Sequence, residues 1–245
     1  VEGHVVTDGL GSNASVKITS SAGGTLVGTK TVAAVNGVVK YSGLSLRGLK
    51  GSYSFTYETN TLGFTSVTET VALSYGIADR LVITTEPVGG HATGSAFTTA
   101  PVVKVYDAYS NVVEDSTVTI DASLFATDGH GALTGASVNA VAGVADFSGL
   151  RLVGTPGFSY ELAFDSDPLA GDTSQSFSVT HAAPSQLVWV TQPLGGNMTG
   201  EDLARQPVLQ LRDRYNNLAT SDNSTVITAA VASGSGATLS NKTAT

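Results

Sequence analysis

The chain has 245 residues, no cysteine and a formal net charge of −8 at pH 7. Only 13% of the residues are charged, and Lys and Arg form no cluster, so we expect no nucleic-acid partner. No apolar run approaches the roughly 18 residues that cross a bilayer, so we expect no membrane insertion. Without cysteine, no disulfide stabilises the fold.

The sequence repeats itself with a period of 106 residues. LVITTEPVGG, which begins at Leu81, returns as LVWVTQPLGG from Leu187. TVAAVNGVVKYSGLSL from Thr31 returns as SVNAVAGVADFSGLRL from Ser137, again 106 positions later. Self-similarity at a fixed period identifies the folding unit of a tandem array.

The period divides the chain into three segments. The first segment, 1–78, is the back part of one unit; the middle segment, 79–184, is a complete unit; the last segment, 185–245, is the front part of a third. A partial unit would leave strand edges and core open to solvent. We therefore expect a longer chain that continues at both ends, with strands donated by neighbouring subunits as the alternative.

Strand-like alternation recurs along the chain in short runs. Tyr53, Phe55 and Tyr57 fall on one face in the first segment, and Val103 and Val105 do so in the middle segment. The corresponding later residues are Tyr160, Leu162 and Phe164, then Leu209 and Leu211. Roughly seven such strands per unit, joined by glycine-rich turns, predict an all-β fold of tandem immunoglobulin-like antiparallel β-sandwiches.

The order of motifs LVxxTxPxGG, PVVxVxDxxxNVV and AVxGVAxFSGLxL resembles the bacterial-type immunoglobulin-like repeats of invasin-like and other large surface proteins, with filamin repeats as a more distant relative. The resemblance implies an extracellular stalk, spacer or adhesive arm without catalytic residues. Trp189 replaces Ile83 on the first strand of the unit. We expect it to be a core or unit-edge residue, with carbohydrate stacking as the alternative.

An Asp-x-x-x-Asn motif occurs twice, from Asp107 to Asn111 and from Asp213 to Asn217. Oxygen ligands at this spacing make Ca²⁺ the one cofactor to consider. The alternative is a hairpin turn in which Asp caps backbone N–H groups and Asn takes the left-handed conformation. When the first copy is aligned by the Val-Val pair that follows the motif, His4 takes the place of the Asn, and His is a poor Ca²⁺ ligand but tolerates positive φ. We favour the turn and expect no bound cofactor.

A second group of acidic residues comprises Asp165, Asp167 and Asp172, which we place in a loop between the last strands of the middle segment. The matching loop of the first segment mostly lacks them. We therefore favour a solvated loop over a second calcium site.

Four N-x-S/T sequons are candidate N-glycosylation sites. They lie at Asn13, Asn197, Asn223 and Asn241, of which we place the first three in Gly- or Ser-rich loops. Loop positions leave room for a glycan, so glycosylation is an open hypothesis for a secreted chain.

No enzymatic activity is expected. The histidines, His4, His91, His130 and His181, are scattered over the repeat, and there is neither an HExxH nor a GxSxG motif. His91 is replaced by Asn197 in the next copy, as a surface turn permits and an active site does not.

The sequence favours a structural module of a long extracellular surface protein, either an adhesin stalk or a filament subunit. Its partners would be neighbouring repeats, and the short joint from His181 to Ser185, which includes Pro184, would let neighbouring units move little. The alternative is a binding module whose end loops, with Tyr109 and Tyr215, recognise a glycan or a protein receptor.

Overall fold

A computed structural model describes residues 13–19, 23–59, 64–125, 130–195, 198–234, 236, 238–241 and 243–244. All regular structure in these residues is β-strand, which confirms the predicted all-β class. The described residues contain no helix long and apolar enough to cross a lipid bilayer.

The first segment contributes six described strands. They are β1 (Asn13–Thr19), β2 (Thr25–Val27), β3 (Thr31–Ala33), β4 (Ser45–Arg47), β5 (Gly51–Thr59) and β6 (Val67–Leu73). One antiparallel sheet has the order β3-β1-β5-β6, and β2 pairs with β4. Tyr53 on β5 is fully buried, whereas Phe55 and Tyr57 on the same strand are half-buried.

The middle segment contains the largest sheet. Its strands are β7 (Ala78–Thr85), β8 (Val102–Asp107), β9 (Thr119–Phe125), β10 (Gly131–Thr134), β11 (Ser137–Asn139), β12 (Val144–Asp146), β13 (Arg151–Gly154), β14 (Glu161–Ser166) and β15 (Leu169–Thr173). Seven of them are joined in the order β11-β9-β14-β15-β7-β8-β12, and β10 pairs with β13.

The described strands of the last segment are β16 (Pro184–Thr191), β17 (Val208–Asp213), β18 (Ile227–Thr228) and β19 (Thr243–Ala244). β16 pairs with β17, and β18 pairs with β19, both antiparallel. Strands β7 and β16 occupy the same place in the repeat, and each begins one residue before the boundary expected from the period, at Ala78 and Pro184.

The core of the middle segment follows the predicted alternation. Val103 and Val105 are completely buried on β8, while Lys104 between them is half-buried. The inward residues on and between β12, β13 and β14 are also almost completely buried; they are Ala145, Phe147, Leu150, Leu152, Tyr160, Leu162 and Phe164. Each fully buried large apolar side chain contributes about 1.5–3 kcal/mol. The equivalent Leu209 and Leu211 in the last segment are only half-buried.

The structure corrects the predicted strand pattern in two respects. The described part of the middle segment has nine strands, most of them short, instead of about seven. The pairing is also not purely antiparallel. β15 runs parallel to β7, with Ala170 opposite Arg80, so this contact joins the last and first strands of the unit.

The hairpin before β12 shows how two copies of one turn differ. Val141 and Val144 exchange backbone hydrogen bonds of 2.8 and 3.0 Å around a two-residue turn. Ala142 in that turn has φ 51°, whereas the first segment has Asn36 there with φ 49°. Asn tolerates the left-handed region better than Ala does, so the middle segment carries local backbone strain at Ala142.

Candidate functional site

The Asp107 to Asn111 motif forms a closed turn directly after β8. Asp107 N–H donates to the Asn111 carbonyl at 2.9 Å, and the carboxylate Oδ1 of Asp107 accepts N–H bonds from Tyr109 at 2.9 Å and Asn111 at 2.8 Å. The predicted capping role of Asp is therefore confirmed. The left-handed residue is Ser110 with φ 69°, not Asn111 as predicted.

Asp107 is 1% exposed and its second oxygen binds the linker that leads into the middle segment. Oδ2 accepts the Asn111 Nδ2–H at 2.8 Å and the backbone N–H of Gly76 at 2.7 Å. Burial alone would raise the pKa of the Asp107 carboxyl, but these four hydrogen bonds outweigh it and hold the pKa below its usual value. The carboxylate is thus charged, buried and fully hydrogen-bonded.

Asn111 fastens the turn to the first segment. Its Oδ1 accepts the backbone N–H of Lys50 at 2.6 Å, and its Nδ2 donates to the Gly48 carbonyl at 3.1 Å. Lys50 Nζ also lies 2.6 Å from Glu114 Oε2 in an ion pair exposed to solvent. We call this set of contacts, between residues 48–50, Gly76 and the turn, the first junction.

The second junction repeats the central part of this arrangement 106 residues later. Asp213, fully buried, accepts N–H bonds from Tyr215 at 2.8 Å and Asn217 at 2.9 Å, and its Oδ2 accepts the linker N–H of Ala182 at 2.8 Å. Here too burial would raise the carboxyl pKa, and the hydrogen bonds lower it below its usual value. The left-handed residue is Asn216, again the one before the motif Asn.

The two junctions differ where the preceding segment meets the turn. Pro156 occupies the place of Lys50, and because Pro has no N–H it cannot donate to Asn217. Among the described residues Asn217 makes no hydrogen bond to the middle segment. The Lys50–Glu114 ion pair is also lost, since Thr220 replaces Glu114.

Other contacts hold the second junction together. Tyr215 packs so closely on Gly94 that a Cβ at this glycine would overlap the phenol oxygen. His181 Nε2 lies 2.7 Å from Ser221 Oγ, and the Ser221 N–H points at the same nitrogen at 3.2 Å. The linker and the last segment are therefore connected without the contacts that Asn111 makes to Gly48 and Lys50 at the first junction.

Two adjoining clefts open at the second junction. One has a volume of about 340 Å³ and is lined by His130, Gly131, Ala132, Val153, Gly154, Thr155, Tyr215 and Asn217. The other, of about 270 Å³, is lined by Thr155, Pro156, Asn216, Asn217, Leu218 and Thr220. They share Thr155 and Asn217, and the described part of each lining includes no charged residue.

The geometry of the motif bears on the calcium alternative. Each oxygen of Asp107 and of Asp213 accepts two N–H donors, so donor hydrogens point to where a cation would approach. Within the described ranges no group of three or more His, Asp or Glu side chains is arranged to hold a metal.

The second acidic group is not confined to a loop as predicted. Asp165 lies on β14 and Asp172 on β15, and only Asp167 lies in the turn between them. Asp172 Oδ2 accepts the Ile83 N–H at 2.8 Å, which joins β15 to β7. This carboxylate thus has a structural partner within the sheet.

The sequons lie in different surroundings. Asn13 begins β1 opposite Ala33 and so lies at a strand end instead of the expected loop. Asn223 is exposed in the turn region after β17, and Asn241 is exposed with φ 49°. Asn197 lies outside the described residues, as does His4.

The remaining residues singled out in the sequence do not converge on one place. Trp189 on β16 is 50% exposed and Tyr109 is 43% exposed. His91 is buried against Phe97, and neither ring nitrogen has a hydrogen-bond partner among the described residues. His91 is therefore not the surface residue that the Asn in the next copy suggested.

The sequence matches no known protein-family profile and no curated protein. Among solved structures, a β-glycosidase from Bacteroides vulgatus matches with 12% identity and a TM-score of 0.35, over 68% of this chain and 21% of that chain. Invasin, a bacterial integrin-binding protein, matches with 12% identity and a TM-score of 0.32, over 95% and 46%. Protocadherin gammaB7 EC3-6 matches with 14% identity and a TM-score of 0.31, over 81% and 48%.

The chain thus spans about a fifth of the glycosidase and about half of the invasin and protocadherin chains. At these TM-scores none of the matches assigns a function.

Sequence reasoning missed the residues on the other side of each junction. Gly48, Lys50 and Gly76 contribute mainly backbone groups to the first junction, and backbone groups leave no residue-type signal. The sequence held one signal of these contacts: the G-x-x-G sequence at 48–51 returns at 154–157, but Pro156 takes the place of Lys50.

Proposed function

We propose that the chain is a structural module of a long extracellular surface protein built from end-to-end immunoglobulin-like β-sandwiches, as an adhesin stalk or a filament subunit. One observation carries the proposal: the same turn accepts a linker N–H at both junctions. Gly76 donates to Asp107 at 2.7 Å, and Ala182 donates to Asp213 at 2.8 Å. A linker fixed at the same point in each unit gives successive joints a similar geometry, so repeats add length in a regular way.

The proposal has no catalytic component. The buried charged groups at the junctions, Asp107 and Asp213, are held ionised by four hydrogen bonds each, which suits anchoring and leaves neither of these two carboxylates free for acid–base chemistry. The cell-surface location belongs to the proposal as well. Protease treatment of intact cells of the source organism tests it, since an exposed stalk is digested and an internal protein survives.

Small-angle X-ray scattering of the purified chain tests the extended arrangement. A compact globule of this length has a radius of gyration of about 18 Å. We expect a clearly larger value and a pair-distance distribution with the long tail of a rod. A value near that of a compact globule would contradict an end-to-end arrangement.

A second candidate function is a binding module that recognises a glycan or protein through loops at the ends of the units. The specific observation in its favour is the pair of clefts between Thr155 and the Asn217 turn. The two functions are compatible, because a stalk with a cleft at one joint still extends.

A further inference from the structure

We infer that the clefts at the second junction bind neutral sugar residues of a glycan. The inference rests on the proposed end-to-end arrangement, because the clefts lie between the middle and last segments. It adds a ligand class and a set of contacting residues to that arrangement, starting from Thr155, Tyr215 and Asn217.

At the first junction the side chain of the motif Asn has a backbone N–H donor that the second junction lacks. There the Asn111 Oδ1 accepts the Lys50 N–H at 2.6 Å, and the Lys50 side chain reaches Glu114. At the second junction Pro156 supplies no N–H, so the described structure leaves the Oδ1 of Asn217 without a donor. A partly buried acceptor without a donor is a favourable place for a ligand hydroxyl group.

The composition of the lining selects the class of ligand. Among the residues that the structure describes, neither cleft is lined by Lys, Arg, Asp or Glu, so this lining offers no countercharge to a phosphate, carboxylate or metal ligand. Arg214 lies over the Tyr215 ring, 4.7 Å from its centre, but does not line either cleft. Hydroxyl, amide and imidazole groups line the larger cleft, whereas Pro156 and Leu218 make the smaller cleft mainly apolar. This mixture suits a neutral molecule that has both hydroxyl groups and apolar C–H faces.

The shape and the aromatic groups agree with a sugar. His130 lines the larger cleft, and its ring stacks on Phe158 at 4.0 Å between centres, which fixes its orientation. Tyr215 is held by its contact with Gly94. Rigid rings with a polar edge suit a molecule that has apolar C–H faces and a rim of hydroxyls. The larger cleft, about 340 Å³, lies at the lower end of the range for small-molecule sites, and the smaller cleft, about 270 Å³, lies just below it, so only short saccharide units would fit.

An NMR titration of the full 245-residue chain tests the inference. The probes are the methyl glycosides of glucose, galactose, mannose and N-acetylglucosamine, with sialic acid as a charged comparison. We expect saturable shifts of the 130–132, 153–155 and 215–217 amides with at least one neutral probe, at a Kd in the millimolar range that is ordinary for a ligand of this size.

Two conservative variants assign the site. Thr155→Val and Tyr215→Phe each remove one hydroxyl and keep the side-chain shape, and together they should weaken binding about tenfold or more. Pro156→Lys restores the donor and the long side chain of the first junction and should abolish binding. Tyr109→Phe is the matched control, because it makes the same change in the first turn, and it should leave binding unchanged.

Several outcomes would overturn the inference. They are the absence of saturable shifts with every neutral probe, binding confined to sialic acid, and binding that persists unchanged in the Thr155→Val/Tyr215→Phe chain. Amide spectra without sugar verify that each variant is folded. The scattering experiment is independent of these titrations, so an extended chain without sugar binding would remove this inference and leave the proposed function standing.

Discussion

Asn111 Nδ2 lies 2.8 Å from Asp107 Oδ2 and 3.1 Å from the Gly48 carbonyl, so one amide group connects the buried carboxylate of the middle segment to the backbone of the first. Asp107 in turn accepts the linker N–H of Gly76. Turn, linker and preceding segment therefore share one hydrogen-bond network, and loss of any member leaves buried donors or acceptors without partners.

Replacement of Asp107 by Asn should destabilise the middle segment. The new amide group would face the N–H of Gly76 and the Nδ2 of Asn111, donor against donor. We expect a loss of about 2–4 kcal/mol in the free energy of unfolding. Urea unfolding, with hydrogen exchange of the β8 amides, measures it. Asp146→Asn is the control, since exposed Asp146 caps Ser148 through one oxygen only and the change should stay within about 0.5 kcal/mol.

The same variant should change the acid sensitivity of the chain. The folded pKa of Asp107 lies below the value of about 3.9 that Asp has when unfolded. Its contribution is therefore complete above that unfolded value and is lost as the pH falls through the folded pKa. Asp107→Asn should flatten the loss of stability below about pH 4. An unaltered acid profile would contradict an ionised Asp107.

Ala142→Asn should stabilise the middle segment. Ala142 has φ 51°, and the equivalent turn position of the first segment carries Asn36 with φ 49°. Asn relieves the left-handed strain, for a gain of about 0.5–1 kcal/mol. The urea midpoint should rise. Asn36→Ala is the reciprocal control and should lower the stability of the first segment by a similar amount.

His91→Leu should stabilise the chain and reduce its pH dependence. Burial lowers the pKa of His91, whose ring nitrogens have no hydrogen-bond partner in the described part of the chain, so the folded state favours the neutral ring. The unfolded chain protonates it near pH 6.5, so native stability falls as the pH drops from that value towards the folded pKa. Leu removes this slope and the unpaired nitrogens, for a gain of about 1 kcal/mol at pH 7. Exposed His130→Gln should keep the slope.

EDTA should leave the melting temperature unchanged. The oxygens of Asp107 and Asp213 already accept N–H donors, so the turns need no cation to balance them. Differential scanning calorimetry with EDTA and with added CaCl₂ measures this. A drop of several degrees on chelation would restore the calcium alternative.

The first junction should be stiffer than the second. The chain has no cysteine, so spin labels at introduced Cys pairs report each joint: Ser42 with Ser123 across the first, Ser123 with Thr228 across the second, all at exposed positions. We expect a narrower distance distribution across the first junction. Asn111→Ala should broaden it, because the Gly48 and Lys50 bonds are lost.

Pro156→Lys should have the opposite effect and narrow the distribution across the second junction. It supplies the N–H and the long side chain that Lys50 supplies at the first. Distance distributions of equal width in the parent chain and in both variants would show that the contacts of Asn111 with Gly48 and Lys50 do not control the joints.

Most of the strand faces could be predicted from the sequence, because burial in a sheet imposes a period of two that residue types record. Val103, Val105, Leu162 and Phe164 follow that rule. The parallel contact between Ala170 and Arg80 could not be predicted from the sequence, because strand order depends on how distant parts of the chain meet. Asp172 was predicted to lie in a loop because it is acidic. Its partner in the sheet is a backbone N–H of β7, and a backbone partner leaves no signal in the residue types.

Of the candidate site, the sequence determined the turn. Asp capping its own backbone is a local interaction within five residues, and two copies of the motif displayed it. Only the tertiary structure decided that the second oxygen of each Asp and the amide of Asn111 reach the linker and the neighbouring segment. Those partners are backbone groups at distances of 31 to 63 residues along the chain, and they exist as partners only when the segments are packed together.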